Sequence, residues 1–146
     1  MASLVDTNIL VYCFDPRVLA KRGAARDLLR RGAAGKFIRI PHQALIEFVS
    51  VVLRRQANGA PLLPREEATR QAEGFMVEFP VLYPNDHVFR TALRGMATYQ
   101  LSWFDAHLWA YAEHYGLPEI LSEDFEHGRM YGTVRIRNPF MELGLA

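Results

Sequence analysis

The stretch Ala2-Ser3-Leu4-Val5-Asp6-Thr7-Asn8 decides the fold class of this sequence. Its apolar residues predict a buried strand, and that strand ends at a carboxylate, Asp6. An apolar segment that continues to Phe14 predicts a short helix directly after it. A strand that leads straight into a helix is typical of α/β proteins, in which strands and helices alternate along the chain.

The alternation continues to the end of the chain. Further strand-like runs lie at 37–41, 79–83, 119–122 and 133–137, and helical periodicities lie at 18–31, 42–57, 86–99 and from 102, with another helix opening at 64–67. Gly32 and Gly35 are predicted to stop the first long helix, and Asp86 to cap a later one. Five strands alternating with helices predict a three-layer α/β/α fold with a mainly parallel sheet, in one domain over residues 1–146.

Length and composition limit the class of protein. The 146 residues amount to about one domain, and 50% hydrophobic residues suffice to fill its core. The longest apolar run, residues 9–14, is far shorter than the roughly 18 residues that a bilayer span needs. The single cysteine, Cys13, can form no internal disulfide, and no basic segment precedes the apolar run. We therefore expect a soluble cytoplasmic protein without a membrane span.

Four acidic residues stand where a parallel sheet gathers its functional groups. Asp6 and Asp124 follow predicted strands, and Glu47 and Asp105 lie early in predicted helices. Each residue alone has an ordinary explanation as a helix cap, a solvent-facing helix residue or a loop acid. One or more strand–helix units separate successive acids, so the chain returns each time to the same sheet edge. The four acids together therefore predict a shared site.

A shared site of carboxylates favours a bound cation. Two ionised carboxylates about 5 Å apart repel by roughly 3 kcal/mol at an effective dielectric constant near 20, so a bare cluster raises some pKa values or spreads apart. Ligation by oxygen atoms alone suits Mg²⁺ or Mn²⁺, which retain water ligands and bind phosphodiester oxygens. The acids therefore predict metal-assisted chemistry.

Four segments, in order, resemble the successive motifs of the PIN domain family. They are VDTNIL at 5–10, QALIE at 43–47, LSWFDA at 101–106 with Ala110 after it, and ILSEDF at 120–125. The resemblance covers almost the whole chain. Chain length, motif order and the closing Asn138-Pro139-Phe140 are most similar to the stand-alone bacterial PIN proteins of the VapC type, which are the toxins of toxin–antitoxin pairs.

The resemblance implies a Mg²⁺- or Mn²⁺-dependent endoribonuclease and assigns roles to residues of this chain. It implies a catalytic acidic quartet, of which the three aspartates bind metal, and three supporting polar groups: Asp6, Glu47, Asp105 and Asp124, with Thr7, Asn8 and Ser122. Glu47 is the acid expected to orient or deprotonate the attacking water. Ser122 stands where threonine is frequent and keeps a hydroxyl. Glu123 is an alternative to Asp124, although spacing favours Asp124.

The resemblance also implies partners. They are an RNA substrate, a small VapB-like antitoxin whose C-terminal segment covers the cleft, and a second copy of the chain. A homodimer is expected to form through the apolar faces of the helices at 45–53 or 103–115.

Charge is unevenly distributed along the sequence. The net charge is +1, yet residues 1–39 contain eight lysines and arginines against three aspartates. Arg22, Arg26 and Arg30, at i, i+4 and i+8, predict a stripe on one helix. Such a stripe is either a solvated helix face or a contact surface for RNA or an acidic antitoxin segment.

Other functional classes fit the sequence less well. A phosphoacceptor domain, of the dehalogenase or receiver type, needs a lysine downstream of the aspartate, and the only lysines, Lys21 and Lys36, are both early. His107 and His114 are spaced for one helix face but are more typical of packing groups than of metal ligands. Aromatic residues between 103 and 115 can stack on bases, or belong to the core or a dimer interface. A catalytically silent PIN fold that binds RNA or protein is the main alternative.

Overall fold

A computed structural model describes residues 1–145 of the chain as six strands and seven helices. The strands are β1 (Ser3–Val5), β2 (Ile38–Pro41), β3 (Val81–Leu82), β4 (Glu119–Leu121), β5 (Met130–Tyr131) and β6 (Val134–Arg137). The helices are α1 (Thr7–Tyr12), α2 (Leu19–Gly35), α3 (His42–Leu53), α4 (Arg65–Glu78), α5 (Asp86–Tyr99), α6 (Trp103–His114) and α7 (Pro139–Glu142). Within residues 1–145, no helix combines the length and apolar character that a membrane crossing requires.

The strands form one sheet in the order β3-β2-β1-β4-β6-β5. All neighbouring pairs are parallel except β5 and β6. Strand β1 lies in the middle, with β2 on one side and β4 on the other. The chain winds outward from β1 in one direction and later returns to its other side, which makes the carboxyl ends of β1 and β4 a topological switch point. Open α/β sheets bind their ligands at such a point.

Successive residues of the central strands pack into two separate hydrophobic cores, one on each face of the sheet. Val5 and Leu121 point to the core built with α1, α2, α3, α4 and α7. Leu4 and Ile120 point to the core built with α5 and α6. Because successive strand residues face opposite sides, strands that are apolar throughout must be covered on both faces. The predicted three-layer α/β/α fold with a mainly parallel sheet is confirmed.

The sheet has six strands rather than the predicted five. The additional strand, β5, pairs antiparallel with β6 through Met130 opposite Arg135 and Tyr131 opposite Val134. Gly132 sits in the connecting turn with a φ of 60°, a conformation that glycine adopts at low cost. A two-residue strand has no readable alternation of its own, and the prediction therefore missed it.

Three predicted helix limits are wrong. Helix α2 continues through Gly32 and ends at Gly35, and Lys36 caps it in the left-handed conformation with a φ of 56°, so Gly35 but not Gly32 marks its end. Gly32 instead allows close packing on β2, because a Cβ there would lie 2.0 Å from the Cγ1 atom of Ile38. Helix α3 ends at Leu53 rather than near 57. The cap of α5 is Asn85, whose side chain accepts a hydrogen bond from the Val88 amide, rather than Asp86.

Candidate active site

The switch point brings the end of β1 against the end of β4. Val5 pairs with Leu121, and the amide of Asp6 donates to the Leu121 carbonyl at 3.0 Å. The next residue of each segment, Asp6 and Ser122, therefore lies at the same sheet edge. The Ser122 hydroxyl donates to Asp6 Oδ2 at 2.6 Å, and the side chain of Ser122 is fully buried.

Ser122 also fixes the loop that carries Asp124. Its Oγ accepts a hydrogen bond from the Asp124 amide at 3.0 Å while its proton is committed to Asp6. Asp6 Oδ1 accepts from the Thr7 amide at 2.7 Å, so Asp6 caps α1 as well as facing the site. Asn8 Nδ2 lies 3.5 Å from Asp6 Oδ2 and completes the surroundings of this carboxylate.

Helix α3 supplies Glu47, which two donors hold in place. Thr7 Oγ1 donates to Glu47 Oε2 at 2.9 Å, and Gln43 Nε2 donates to Glu47 Oε1 at 3.0 Å. The same Gln43 nitrogen donates to the Phe104 carbonyl at 3.2 Å. Gln43 therefore connects Glu47 to the first turn of α6.

Asp105 lies in the first turn of α6, where Ser102 caps the helix by accepting a hydrogen bond from the Asp105 amide at 3.2 Å. The Asp105 carboxylate is therefore not needed as the helix cap. Together with the other three predicted acids, Asp6, Glu47 and Asp124, it lines one cleft of about 340 Å³. The structure thus brings the four acids together. Their catalytic role stays a prediction.

Burial and mutual repulsion dominate the electrostatics of the cleft. The pKa of Asp6 is raised from 3.8 to about 7, and burial is the largest cause. The charges of Asp124 and Glu47 contribute to the rise, whereas the hydrogen bonds from Ser122 and the Thr7 amide oppose it. Burial, followed by the charges of Asp124 and Glu47, also raises the pKa of Asp105. The site therefore holds carboxyl groups in an environment that disfavours their charged forms.

The donor chemistry of this cleft fits a hydrated divalent cation. Within residues 1–145, no three histidine, cysteine or acidic side chains converge into a complete ligand set. Mg²⁺ does not need one, because it keeps several waters and is commonly bound by one or two carboxylates. Carboxyl groups held near one another with raised pKa values are those that a cation would return to the ionised state. The buried Asn8 Oδ1 has no hydrogen-bond partner within the described residues, and this oxygen is a further candidate metal ligand beside Asp6.

The structure separates Glu123 from Asp124. The Glu123 carboxylate binds Lys21 Nζ at 2.9 Å and the Tyr12 hydroxyl, so the charge of this acid is balanced outside the acidic cleft. Asp124 instead lines the cleft with Asp6. This arrangement favours the assignment of Asp124 that the motif spacing suggested.

The arginine stripe and the pair His107 and His114, both noted in the sequence, lie outside the acidic cleft. Arg26 Nε donates to the Cys13 carbonyl at 2.7 Å, and Arg30 pairs with Asp27 at 2.9 Å, so two members of the arginine stripe have structural contacts. His107 packs edge-on against Trp103, whereas His114 stacks with His87. The two histidines thus have separate neighbours, in keeping with packing roles.

Two polar residues of the site were not singled out as functional from the sequence: Gln43 and Arg54. Both line the acidic cleft. Spacing relative to Glu47 contains the signal for them, because Gln43 lies one helical turn before Glu47, and Arg54, the first residue after α3, follows Glu47 by seven positions. Phe104 also lines the cleft and is 65% exposed beside Asp105. It is one of the aromatic residues at 103–115 for which base stacking, the core and a dimer interface stayed open from the sequence, and its exposure places it outside the core.

Comparison with known proteins identifies the family. The family model of the PIN domain matches residues 3–132, and the chain therefore belongs to the PIN domain family. This finding confirms the resemblance seen in the sequence motifs. No curated protein matches the sequence.

Solved structures with a similar fold include several toxin–antitoxin proteins. A toxin–antitoxin complex from Klebsiella pneumoniae has a TM-score of 0.67 at 16% identity, covering 94% of this chain and 98% of that one. VapC20 of Mycobacterium tuberculosis, a toxin that cleaves the sarcin–ricin loop, has a TM-score of 0.63 at 17% identity, with coverages of 84% and 90%. VapBC2 of Rickettsia felis, bound to promoter DNA, has a TM-score of 0.70 at 12% identity, with coverages of 94% and 98%.

Proposed function

We propose that this chain is a metal-dependent endoribonuclease, the toxin of a type II toxin–antitoxin pair, acting as one domain in the cytoplasm. The observation that carries the proposal is the convergence of Asp6, Glu47, Asp105 and Asp124 on one cleft at the switch point of the sheet. Membership of the PIN domain family and the similarity in fold to VapC20, which cleaves RNA, support the reaction and the substrate class.

The residues divide into cation ligands and a proton acceptor. Asp6, Asp105 and Asp124 would hold Mg²⁺ or Mn²⁺, which when bound polarises the scissile phosphate and lowers the pKa of water. Glu47 orients and deprotonates the attacking water, since both of its oxygens are fixed by Thr7 and Gln43 and each retains acceptor capacity. Ser122 fixes the position of Asp6 relative to the loop that carries Asp124, because its hydroxyl donates to Asp6 and accepts from the Asp124 amide.

A cleavage assay tests the proposal. We expect purified protein to cut a mixture of structured cellular RNAs in Mg²⁺ or Mn²⁺, to stop in EDTA, and to recover when metal is returned. Glu47→Gln should lower the rate at least about 10²-fold, the usual contribution of general base catalysis, without changing the fold. Glu78→Gln, at an exposed acid on α4, is the matched control. Metal-independent cleavage, or none with any RNA, would contradict the proposal.

Arg54 is a candidate contact for the RNA backbone. It directly follows α3, lines the acidic cleft together with Glu47, and is the only basic residue that does so within residues 1–145. Its guanidinium forms no ion pair with an acid of those residues. A cation at the rim of a carboxylate site is placed to bind a phosphate next to the one being cut.

The salt dependence of RNA binding measures this contact. In a cleavage-deficient Asp6→Asn background, Arg54→Met should reduce the slope of log Kobs against log salt for single-stranded RNA by about 0.7, the value for one phosphate contact. Arg55→Met is the matched control, because Arg55 Nη1 instead binds the Gly59 carbonyl outside the cleft. Equal slopes for Arg54→Met, Arg55→Met and the Asp6→Asn parent would show that Arg54 does not contact the RNA backbone.

The partners form the remaining part of the proposal. A small VapB-like antitoxin would cover the acidic cleft with its C-terminal segment, and the toxin would pair with a second copy of itself. Toxin–antitoxin complexes among the similar structures support the first partner. The apolar faces of α3 and α6, on which the sequence placed this contact, are buried in the two cores through residues such as Phe48 and Leu108. The exposed Leu93 and Met96 on α5 offer apolar surface for the second partner instead. Arg22, Arg26 and Arg30 stay a predicted contact for RNA or an acidic antitoxin segment.

A further inference from the structure

A second cavity, of about 290 Å³, adjoins the acidic cleft. The two share a wall made by Gln43, Glu47 and Phe104. We call the second cavity the side pocket. A group bound in the side pocket therefore lies directly beside whatever occupies the acidic cleft.

The lining of the side pocket is mainly apolar and aromatic. Phe104 and Ile46 both line it and are 65% and 58% exposed, although apolar side chains of this size are usually buried. Trp103 and His107 also line it and hold each other edge to face, with ring centroids 4.3 Å apart. The wall is thus preformed, and its exposed apolar surface is left without a partner among residues 1–145.

Polar atoms are few and sit around this apolar surface. The imidazoles of His42 and His107 line the side pocket. His107 Nδ1 is engaged with the Trp103 carbonyl at 3.3 Å, so Nε2 of His107 and the ring nitrogens of His42 are those that can pair with the edge of a planar ligand. Gln43 Nε2 holds the Phe104 backbone and Glu47 together, at 3.2 Å and 3.0 Å. An aromatic surface with a small number of polar groups is the usual composition of a site for a small planar molecule.

We propose that the side pocket binds a nucleobase of the RNA, next to the phosphate that lies at the acids, with Phe104 as the stacking surface. The proposal rests on the proposed ribonuclease function. Continuity of the side pocket with the acidic cleft identifies the occupant, because a nucleotide whose phosphate sits at the acids has its base attached within reach of Phe104. Single-stranded RNA is recognised chiefly by stacking of unpaired bases on aromatic side chains. The side pocket would therefore select for unpaired RNA at the cleavage position.

Binding of short RNAs tests the proposal without requiring cleavage. The probes are fluorescently labelled hexamers of adenylate, of uridylate and of abasic ribose phosphate, and all proteins contain Asp6→Asn. Phe104→Leu, which removes the ring and keeps an apolar side chain, should weaken binding of the base-bearing hexamers at least about fivefold, the lower limit for loss of one stacked base. Binding of the abasic hexamer should stay unchanged, and Phe104→Tyr should restore binding of the other two.

Phe89→Leu is the matched control. Phe89 is an exposed aromatic residue that packs against Trp103 and His107 from outside the side pocket, so general loosening of this region would appear in that variant too. Equal weakening of abasic and base-bearing hexamers by Phe104→Leu would overturn the proposal, as would unchanged binding of all three, which would leave the pocket to an antitoxin segment. Wild-type cleavage of RNA alongside such a result would overturn the base site alone and leave the nuclease function standing.

Discussion

Replacing Asp6 with asparagine is expected to lower metal-dependent RNA cleavage at least about 10³-fold, and to raise the stability of the metal-free protein at pH 8. Asparagine has the same shape and keeps an acceptor for the Thr7 amide, but lacks the charge that attracts a divalent cation. The wild-type carboxylate must ionise in a buried position beside Asp124 and Glu47, and the variant avoids that cost.

Cleavage assays and thermal melts of the same two proteins decide this prediction. Saturating Mg²⁺ should raise the melting temperature of the wild type by mass action on the folded state, and raise that of Asp6→Asn much less. Asp86→Asn is the matched control, since Asp86 is exposed at the start of α5 and, within residues 1–145, forms an ion pair only with Arg90, at 3.0 Å. An Asp6→Asn protein that melts well below the wild type without metal would mean that Asp6 is primarily a structural cap of α1.

The sheet could be predicted from the sequence because its central strands are short runs of apolar residues that end at polar ones. Strand β1 is buried along its whole length, and such a run has no stable place except between two covered faces. Strand β5 has only two residues, one of them exposed, and its position depends on pairing with β6 rather than on its own composition. Prediction failed where tertiary contact, and not local pattern, determines the element.

The acids of the site could be predicted for a related reason. Asp6 and Asp124 follow strands whose carboxyl ends meet at the same edge of a parallel sheet, and the strand order places β1 directly beside β4. The side chains around them follow no such rule. Gln43 lies in α3 and Arg54 directly follows it, and only the distance of each from Glu47 along the chain indicates that they reach the same cleft. Phe104 could be predicted only as one of several aromatic residues able to stack on bases, because the sequence does not show that it is exposed whereas Trp109 and Tyr111 are buried.

The metal-free protein should lose stability as the pH rises from about 4 to about 7. Asp6 titrates near 7 in the folded chain, against 3.8 as its ordinary value. Between these two values the folded state binds more protons than the unfolded state, so the free energy of unfolding falls with pH. Each unit of pKa difference corresponds to about 1.4 kcal/mol, which puts the full contribution of Asp6 at a few kcal/mol. Below pH 4 the contribution is present in full, and above pH 7 it is lost.

Binding of Mg²⁺ should have the opposite dependence on pH, because the cation requires the ionised carboxylate and displaces its proton. Its apparent affinity should rise about tenfold per pH unit up to pH 7 and level off above, if one proton is released. Urea unfolding of the wild type and of Asp6→Asn from pH 4 to 8, with Mg²⁺ and with EDTA, separates Asp6 from other titrating groups. In EDTA the free energies of unfolding of the two proteins should be equal near pH 4 to 5 and differ above it, with the variant more stable. Mg²⁺ should reduce this difference by stabilising the wild type. Parallel curves in EDTA across the whole range would mean that Asp6 ionises at its ordinary value, and that neither burial nor the neighbouring acids shift its pKa.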